Sequence, residues 1–319
     1  MSDYKCSYIS IFGVQIKKEF RCMNSFLKKI INPIELIRAY NFHKKQSNHI
    51  KSSEDLELML YSKIIRNDML HYGYFENIDI EPESISINDL ENAQMKYVEL
   101  IIDQILHKQK NVLDVGCGMG GLSKILIDKG INVQSLTPDN NQKNHIKNKY
   151  PELTVHHMKF ENFKTKEKFG TIINSESLQY IDLDTAFESV SNIISDNGRW
   201  IITDYFRIDN DGINKSGHMH SDFLNSISKN GWKIVHENDM TLNSLPTLKF
   251  AITFIERFIK PLAFFSTEKL KYKQGWLFYL TQELRDSMSS KSKKELAALD
   301  PNKFIKEKKY MMYVLEKIN

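Results

Sequence analysis

Gly116, Gly118, Gly120 and Gly121 follow the apolar run Val112-Leu113-Asp114-Val115 and lead into a helical pattern from Leu122 to Lys129. A strand that runs into glycines and then a helix reads as a nucleotide site. Without side chains the loop lets a ligand reach the backbone, and the start of the helix offers unpaired N–H groups and a positive dipole end. The spacing at 116, 118 and 121 also fits the G-x-G-x-x-G of dinucleotide folds, where a carboxylate closes the next strand. Here Asp114 precedes the glycines, and the next strand, Asn132 to Leu136, ends in Thr137-Pro138-Asp139. Other side chains able to do chemistry are His71 and Tyr72 in the aromatic cluster Met69 to Phe75, Glu176 in the loop 175–180, and the pair His218 and His220. They are the candidates for a base if the reaction takes a proton from a hydroxyl or an acidic carbon. The histidine pair has no further ligands at matching spacing, so no metal is expected. Cys117 reads as a small residue that fits the loop.

From about 70 to 205 the chain resembles the class I S-adenosylmethionine-dependent methyltransferases, whose first motif reads L-D-x-G-C-G-x-G-G, as residues 113–121 do. Within that class it is similar to the small-molecule branch of tocopherol and sterol methyltransferases and cyclopropane fatty acid synthases. The resemblance implies S-adenosyl-L-methionine as cofactor, with Asp114, Gly116, Gly118 and Gly120 around it and His71 and Tyr72 in the aromatic segment over its methionine end. An aromatic face suits a sulfonium cation. In place of a ribose-binding carboxylate, the branch carries T-L-S-x-x-Q, and Thr137 and Gln142 keep that spacing. Asp139 then either replaces the carboxylate or caps the following helix, and capping is the expected role. Phe160-Glu161-Asn162-Phe163 resembles the W-E-x-F element beside adenine. Cyclopropane synthases hold bicarbonate with a cysteine and a glutamate-histidine pair; the matching positions here are Tyr72, Gln179 and Tyr180, which argues against cyclopropanation.

The elements that must position these residues are those of an α/β, Rossmann-like doubly wound sheet with helical caps. Strands are expected at 112–115, 132–136, 153–157, 171–174, 199–203, 232–235 and 309–315, with a helix from Asp89 to Leu106 delivering the first. Ligands in such sheets bind beyond the carboxyl ends of the strands, so Asn174, Glu176 and residues up to 180, with 204–206, should face the transferred methyl. His220 opens the helix before strand six at the same end. Tyr72, Glu176 and His220 are the expected catalytic residues, and Asn174 is expected among those that bind the cofactor. Four parts are expected: an N-terminal helical cap over 1–92, a core over 93–240, a helical insertion over 241–307 and the last strand over 308–319. An insertion of that length at the ligand-facing edge is usually functional. Its aromatic stretch from Leu248 to Leu280 suits either a chamber wall or a homodimer contact.

Bulk properties narrow the function further. Across 319 residues, 44 Lys plus Arg against 40 Asp plus Glu leave a net charge of +4, which supplies no basic groove for nucleic acid. Three scattered cysteines form neither a disulfide frame nor a metal site, so a cytoplasmic setting is expected. The apolar stretch 248–265 is interrupted by Lys249, Glu256, Arg257, Lys260 and Pro261, which argues against a membrane span. A small apolar or aromatic metabolite is the expected acceptor, methylated at O, C or N. The competing readings are a methyltransferase fold that has lost turnover and serves as an interaction module, and a nicotinamide-dependent oxidoreductase.

Overall fold

The computed structural model describes residues 28–51, 63, 65, 67–106, 110–208 and 216–318. The chain divides into two compact units, one made of 54–262 with 286–319 and the other of 1–53 with 263–285. Of the helical cap expected over 1–92, residues 1–27, 52–62, 64 and 66 lie outside the described residues.

The larger unit holds a seven-stranded sheet in the order β3-β2-β1-β4-β5-β7-β6. Its strands are β1 (Val112–Val115), β2 (Val133–Thr137), β3 (Thr154–His157), β4 (Phe169–Ser175), β5 (Ile194–Arg207), β6 (Trp232–Asp239) and β7 (Lys308–Lys317). Four parallel pairings join β1 to β5, and β7 lies antiparallel between β5 and β6. All seven strands stand where the sequence places them, and most run longer. β5 gains most, since it leaves the preceding helix at Ile193 without a loop and pairs with β4 already at Phe169.

Side-chain alternation splits the interior into two cores, one on each face of the sheet. On the first face Val112, Ile173, Ile201, Tyr310 and Met312 pack with Tyr97, Val98 and Ile101 and with Leu122 and Leu126. These come from the helices α2 (Ile87–Asp103) and α3 (Gly121–Asp128), where α1 is Pro33–Lys51 in the smaller unit. A capping box between Ser86 and Asp89 starts α2. On the second face Leu113, Ile172, Trp200, Ile202 and Tyr313 pack with Phe187 and Phe223. Those two belong to α5 (Leu183–Ile193) and α6 (His220–Lys229); α4 is Asn140–Lys149, after β2.

The residues between β6 and β7 are helical: α7 (Thr241–Phe254), a π-helical turn at Ile255–Ile259, then α8 (Lys260–Lys273), α9 (Gly275–Leu280), α10 (Gln282–Ala298) and α11 (Pro301–Glu307). α7 is built into the larger unit. Its Thr247 hydroxyl accepts from Gly73 N–H at 3.0 Å, and Asn243 exchanges backbone and side-chain bonds with Phe75.

Candidate active site

The glycine loop closes β1 with Gly116, Gly118 and Gly120 all at positive φ, a conformation glycine adopts without cost. Two of these glycines do different work. A Cβ on Gly116 would lie 2.4 Å from the Ser177 Cβ, so this glycine lets two loops touch. At Gly118 a Cβ would meet, among the described residues, only Leu70 Cδ1, at 3.6 Å, so its side-chain direction opens onto space beside the aromatic segment. Beneath the loop, Asp114 is buried and accepts from the Ser123 hydroxyl at 2.6 Å, and Ser123 in turn accepts from Ser135 at 2.8 Å. Burial pushes the Asp114 carboxyl up to about 6. It ties β1 to the first turn of α3. Burial also holds the Cys117 thiol well above its ordinary range, as befits a residue chosen for size.

Asn174 is fully buried, its Oδ1 accepts from Trp200 Nε1 at 2.9 Å, and its Nδ2 donates to the Ser177 hydroxyl at 2.9 Å. Ser177 donates on to the Val115 carbonyl at 2.5 Å. With both ends of its amide engaged, Asn174 braces the loop under Gly116. At the end of β2, Asp139 caps α4 by accepting from Gln142 N–H at 2.9 Å, the role expected of it. Thr137 donates to Gln142 Oε1 at 2.6 Å and accepts from Asp139 N–H at 3.1 Å. The threonine thus orients the glutamine. Phe160 is buried in the second core and Glu161 half-buried, on the turn after β3.

Segment 67–75 is pinned along its length. Gln94 Nε2 donates to the carbonyls of Met69 and His71 at 2.8 and 2.9 Å, and Tyr74 N–H donates to the Ala93 carbonyl at 2.8 Å. Asp68 anchors its start: one carboxylate oxygen accepts from His145, Lys149 and Tyr150 at 2.8, 2.7 and 2.7 Å. Burial works to raise its pKa, but these three bonds hold it below the usual value. His71 stacks on Tyr97 with ring centres 4.0 Å apart and donates from Nδ1 to the Tyr72 carbonyl at 2.9 Å. Burial lowers its pKa to about 4, so the ring is neutral at pH 7 and Nε2 carries a lone pair. That Nε2 is buried and has no hydrogen-bond partner among the described residues.

Glu176 follows β4 with φ of 52°, a left-handed backbone that glutamate adopts at a cost. Its Oε1 accepts from Tyr72 N–H at 2.7 Å and from the Tyr310 hydroxyl at 2.6 Å. Desolvation outweighs both bonds and brings its pKa up to about 7. Tyr72 packs on Tyr310 at 5.4 Å, and the Tyr97 hydroxyl reaches Ser175 and Thr203. Asp204, wholly buried and bonded to Gln179 N–H and its neighbour's N–H, is pushed up to about 8 by burial and by Glu176.

The histidine pair belongs elsewhere. His218 donates from Nε2 to the carbonyls of Leu178 and Ile181 at 3.0 and 2.9 Å. His220 bonds the Tyr313 hydroxyl at 2.7 Å and packs against Phe206. Phe206 and Tyr313 lie in the second core, whereas Tyr310 and Tyr205 face the first, so the sheet stands between His220 and Glu176. His220 and Phe206, expected near the methyl, thus stand on the face away from Glu176. Tyr180 is 77 % exposed. Among the described residues, no cluster of three or more His, Cys, Asp or Glu could hold a metal ion, and no helix is long and apolar enough to cross a membrane. The residues that sequence reasoning missed are Asp68, Tyr97 and Tyr310. Asp68 directly precedes the aromatic cluster, and Tyr310 shares the alternating face of its strand with Met312; both signals were in the sequence.

A loop open at Gly118, an orphaned imidazole nitrogen and a carboxylate-aromatic cluster at the carboxyl ends of the strands fit a sulfonium nucleotide. Sheet order, glycine loop and site together define an S-adenosylmethionine-dependent methyltransferase with a Rossmann-like α/β fold. The family model described as mycolic acid cyclopropane synthetase matches residues 42–283, and the chain belongs to that family. Its cofactor is S-adenosyl-L-methionine. No curated protein matches the sequence. Among solved structures, the geranyl diphosphate C-methyltransferase of Streptomyces coelicolor A3(2) is 15% identical with a TM-score of 0.59, covering 84% of this chain and 94% of that one. The cyclopropane synthase MmaA2 of Mycobacterium tuberculosis is 15% identical with a TM-score of 0.56, covering 79% and 93%. Mycolic acid cyclopropane synthase CmaA1, solved with SAH and CTAB, is 15% identical with a TM-score of 0.55, covering 80% and 94%. These matches lend no support to the oxidoreductase or interaction-module readings.

Proposed function

We propose that the enzyme methylates a carbon atom of a small lipophilic acceptor and that Glu176 is its base. The bound cofactor supplies an electrophilic methyl group. An acceptor that gives up the electrons of a carbon-carbon double bond must afterwards lose a proton, and Glu176 is placed to take it. The observation that carries the reading is this carboxylate, poised near pH 7, with one oxygen fixed by Tyr72 and Tyr310. The surrounding rings of Tyr72, Tyr97 and Tyr310 suit an apolar substrate and a transient positive charge. Geranyl diphosphate, named for one fold relative, is an acceptor of this kind.

In this reading His71, Gly118, Gln142, Phe160 and Glu161 line the cofactor's place, and Asp114, Gly116, Gly120, Thr137 and Asn174 hold that lining in shape. The start of α7 forms part of the acceptor's wall through Leu245 and Leu248, packed in the same core as Tyr72. The near-neutral charge supports a small molecule over nucleic acid, and the sparse cysteines support the cytoplasm. A homodimer contact is the second role proposed for the insertion, with sedimentation velocity as its test.

Glu176→Gln tests the assignment, because the amide oxygen still accepts from Tyr72 and Tyr310. With geraniol, geranyl diphosphate and oleate as acceptors and products read by mass spectrometry, turnover should fall about 10²- to 10⁴-fold. Since a base acts only when ionised, wild-type kcat should rise as pH passes upward through about 7 and level off above it. Turnover by the variant within about threefold of wild type, or a wild-type rate flat from pH 6 to 8, would sink the assignment.

A further inference from the structure

Lys308 opens β7 on the same face of the sheet as Tyr310. It stands two residues earlier, about 7 Å nearer the ligand-facing end. Only 3 % of it is exposed. Its ammonium donates to the carbonyl and hydroxyl oxygens of Ser216 at 3.1 and 3.0 Å and lies 4.0 Å from the centre of the Tyr205 ring. These partners are all neutral. Among the described residues, no carboxylate forms an ion pair with it. Among the described residues, Asp204 and Glu307 are the acidic groups whose fields reach it, and Arg207, opposite it in the strand pairing, adds a second cation on the same side. Asp204 is itself pushed up to about 8 and so is largely protonated at neutral pH. Burial lowers the Lys308 ammonium to about 8, which still leaves most of its charge at pH 7.

A buried charge without a counter-charge is costly, and structures usually pair one or neutralise it. The cost is met here at the end of the sheet where the acceptor would enter, on the face that carries Glu176. We infer that Lys308 binds an anionic head group, a carboxylate or a phosphate, at the end of an acceptor whose apolar portion reaches Glu176. This rests on the methyl-transfer reading above for the acceptor's place, but its test does not use turnover.

Calorimetric titration of the S-adenosylhomocysteine-loaded protein with decyl phosphate, decanoate and decan-1-ol separates the cases. At least one anion should bind about ten- to a hundred-fold more tightly than the alcohol, and which one does so distinguishes phosphate from carboxylate. Lys308→Met should abolish that preference while leaving S-adenosylhomocysteine binding unchanged, and Lys308→Arg should retain it. Thermal melts of both variants establish that they fold, and the wild-type comparison stands without either. Equal binding of anions and alcohol by the wild type, no binding of either anion, or a preference that survives in Lys308→Met would overturn the inference. Loss of turnover in Glu176→Gln with no anion preference would overturn this inference alone.

Discussion

Tyr310 and Tyr313 are three residues apart on β7 and point to opposite faces of the sheet. Tyr313 bonds a histidine and packs among Phe206 and Phe223, a satisfied aromatic core. Tyr310 bonds a carboxylate pushed up to about 7, beside a neutral histidine with an unpartnered nitrogen. Both faces hold rings, hydroxyls and an imidazole, so residue type does not tell them apart. What separates them is the company the polar groups keep. On the second face the imidazole and the hydroxyl bond each other, although Trp232 Nε1 is left without a partner there among the described residues; on the first, an unpartnered imidazole nitrogen stands in one cluster with carboxyls of displaced ionisation, which supports the proposed place of the ligand.

The largest effect that could break this contrast comes from the glycine loop. Gly118→Arg should remove S-adenosylhomocysteine binding altogether in calorimetry, since its side chain enters the space beside Leu70. The left-handed backbone there adds a stability cost of about 1–2 kcal/mol, visible as a modest drop in melting temperature. Undiminished binding would place the cofactor elsewhere. A smaller effect sharpens the contrast at the end of β2. Gln142→Ala should weaken S-adenosylhomocysteine about ten- to a hundred-fold, the loss of one hydrogen bond to a buried ligand. Asp139→Ala should instead cost about 1 kcal/mol of stability as a lost cap, with affinity nearly unchanged. The reverse pattern would show that the carboxylate holds the ribose. The smallest effect belongs to the second face. His220→Phe should leave turnover within about twofold and cost about 1 kcal/mol in denaturant unfolding, for the lost bond to Tyr313. A collapse of turnover comparable to that of Glu176→Gln would mean that the two faces are not independent.

Much of this was legible in the chain. The strands were marked by apolar runs and the loop by its glycines, and the capping role of Asp139 followed from its place before α4. Proximity across the sheet was harder to read. His220 lies at the expected end of the sheet, yet which face it serves is set by Tyr313 and Phe206, whose alternation matters only once their strands are in register. Asn174 stands at a strand end, where ligands bind, but the nearby Ser177 and Trp200, 26 residues away, claim its amide. Glu176 was expected near the methyl; its left-handed backbone and its bond to Tyr310, 134 residues away, could not be foreseen from local pattern.

The bond from Tyr72 N–H to Glu176 also bears on the order of events in a catalytic cycle. In the proposed site, segment 67–75 lies over the cofactor and also fixes the carboxylate. Exchange of spent cofactor for fresh then requires the segment to lift, and lifting it separates Tyr72 from Glu176. Kinetics of the compulsory-order type follow, with the nucleotide entering first and leaving last. While the pocket is open, the proton acceptor is out of position.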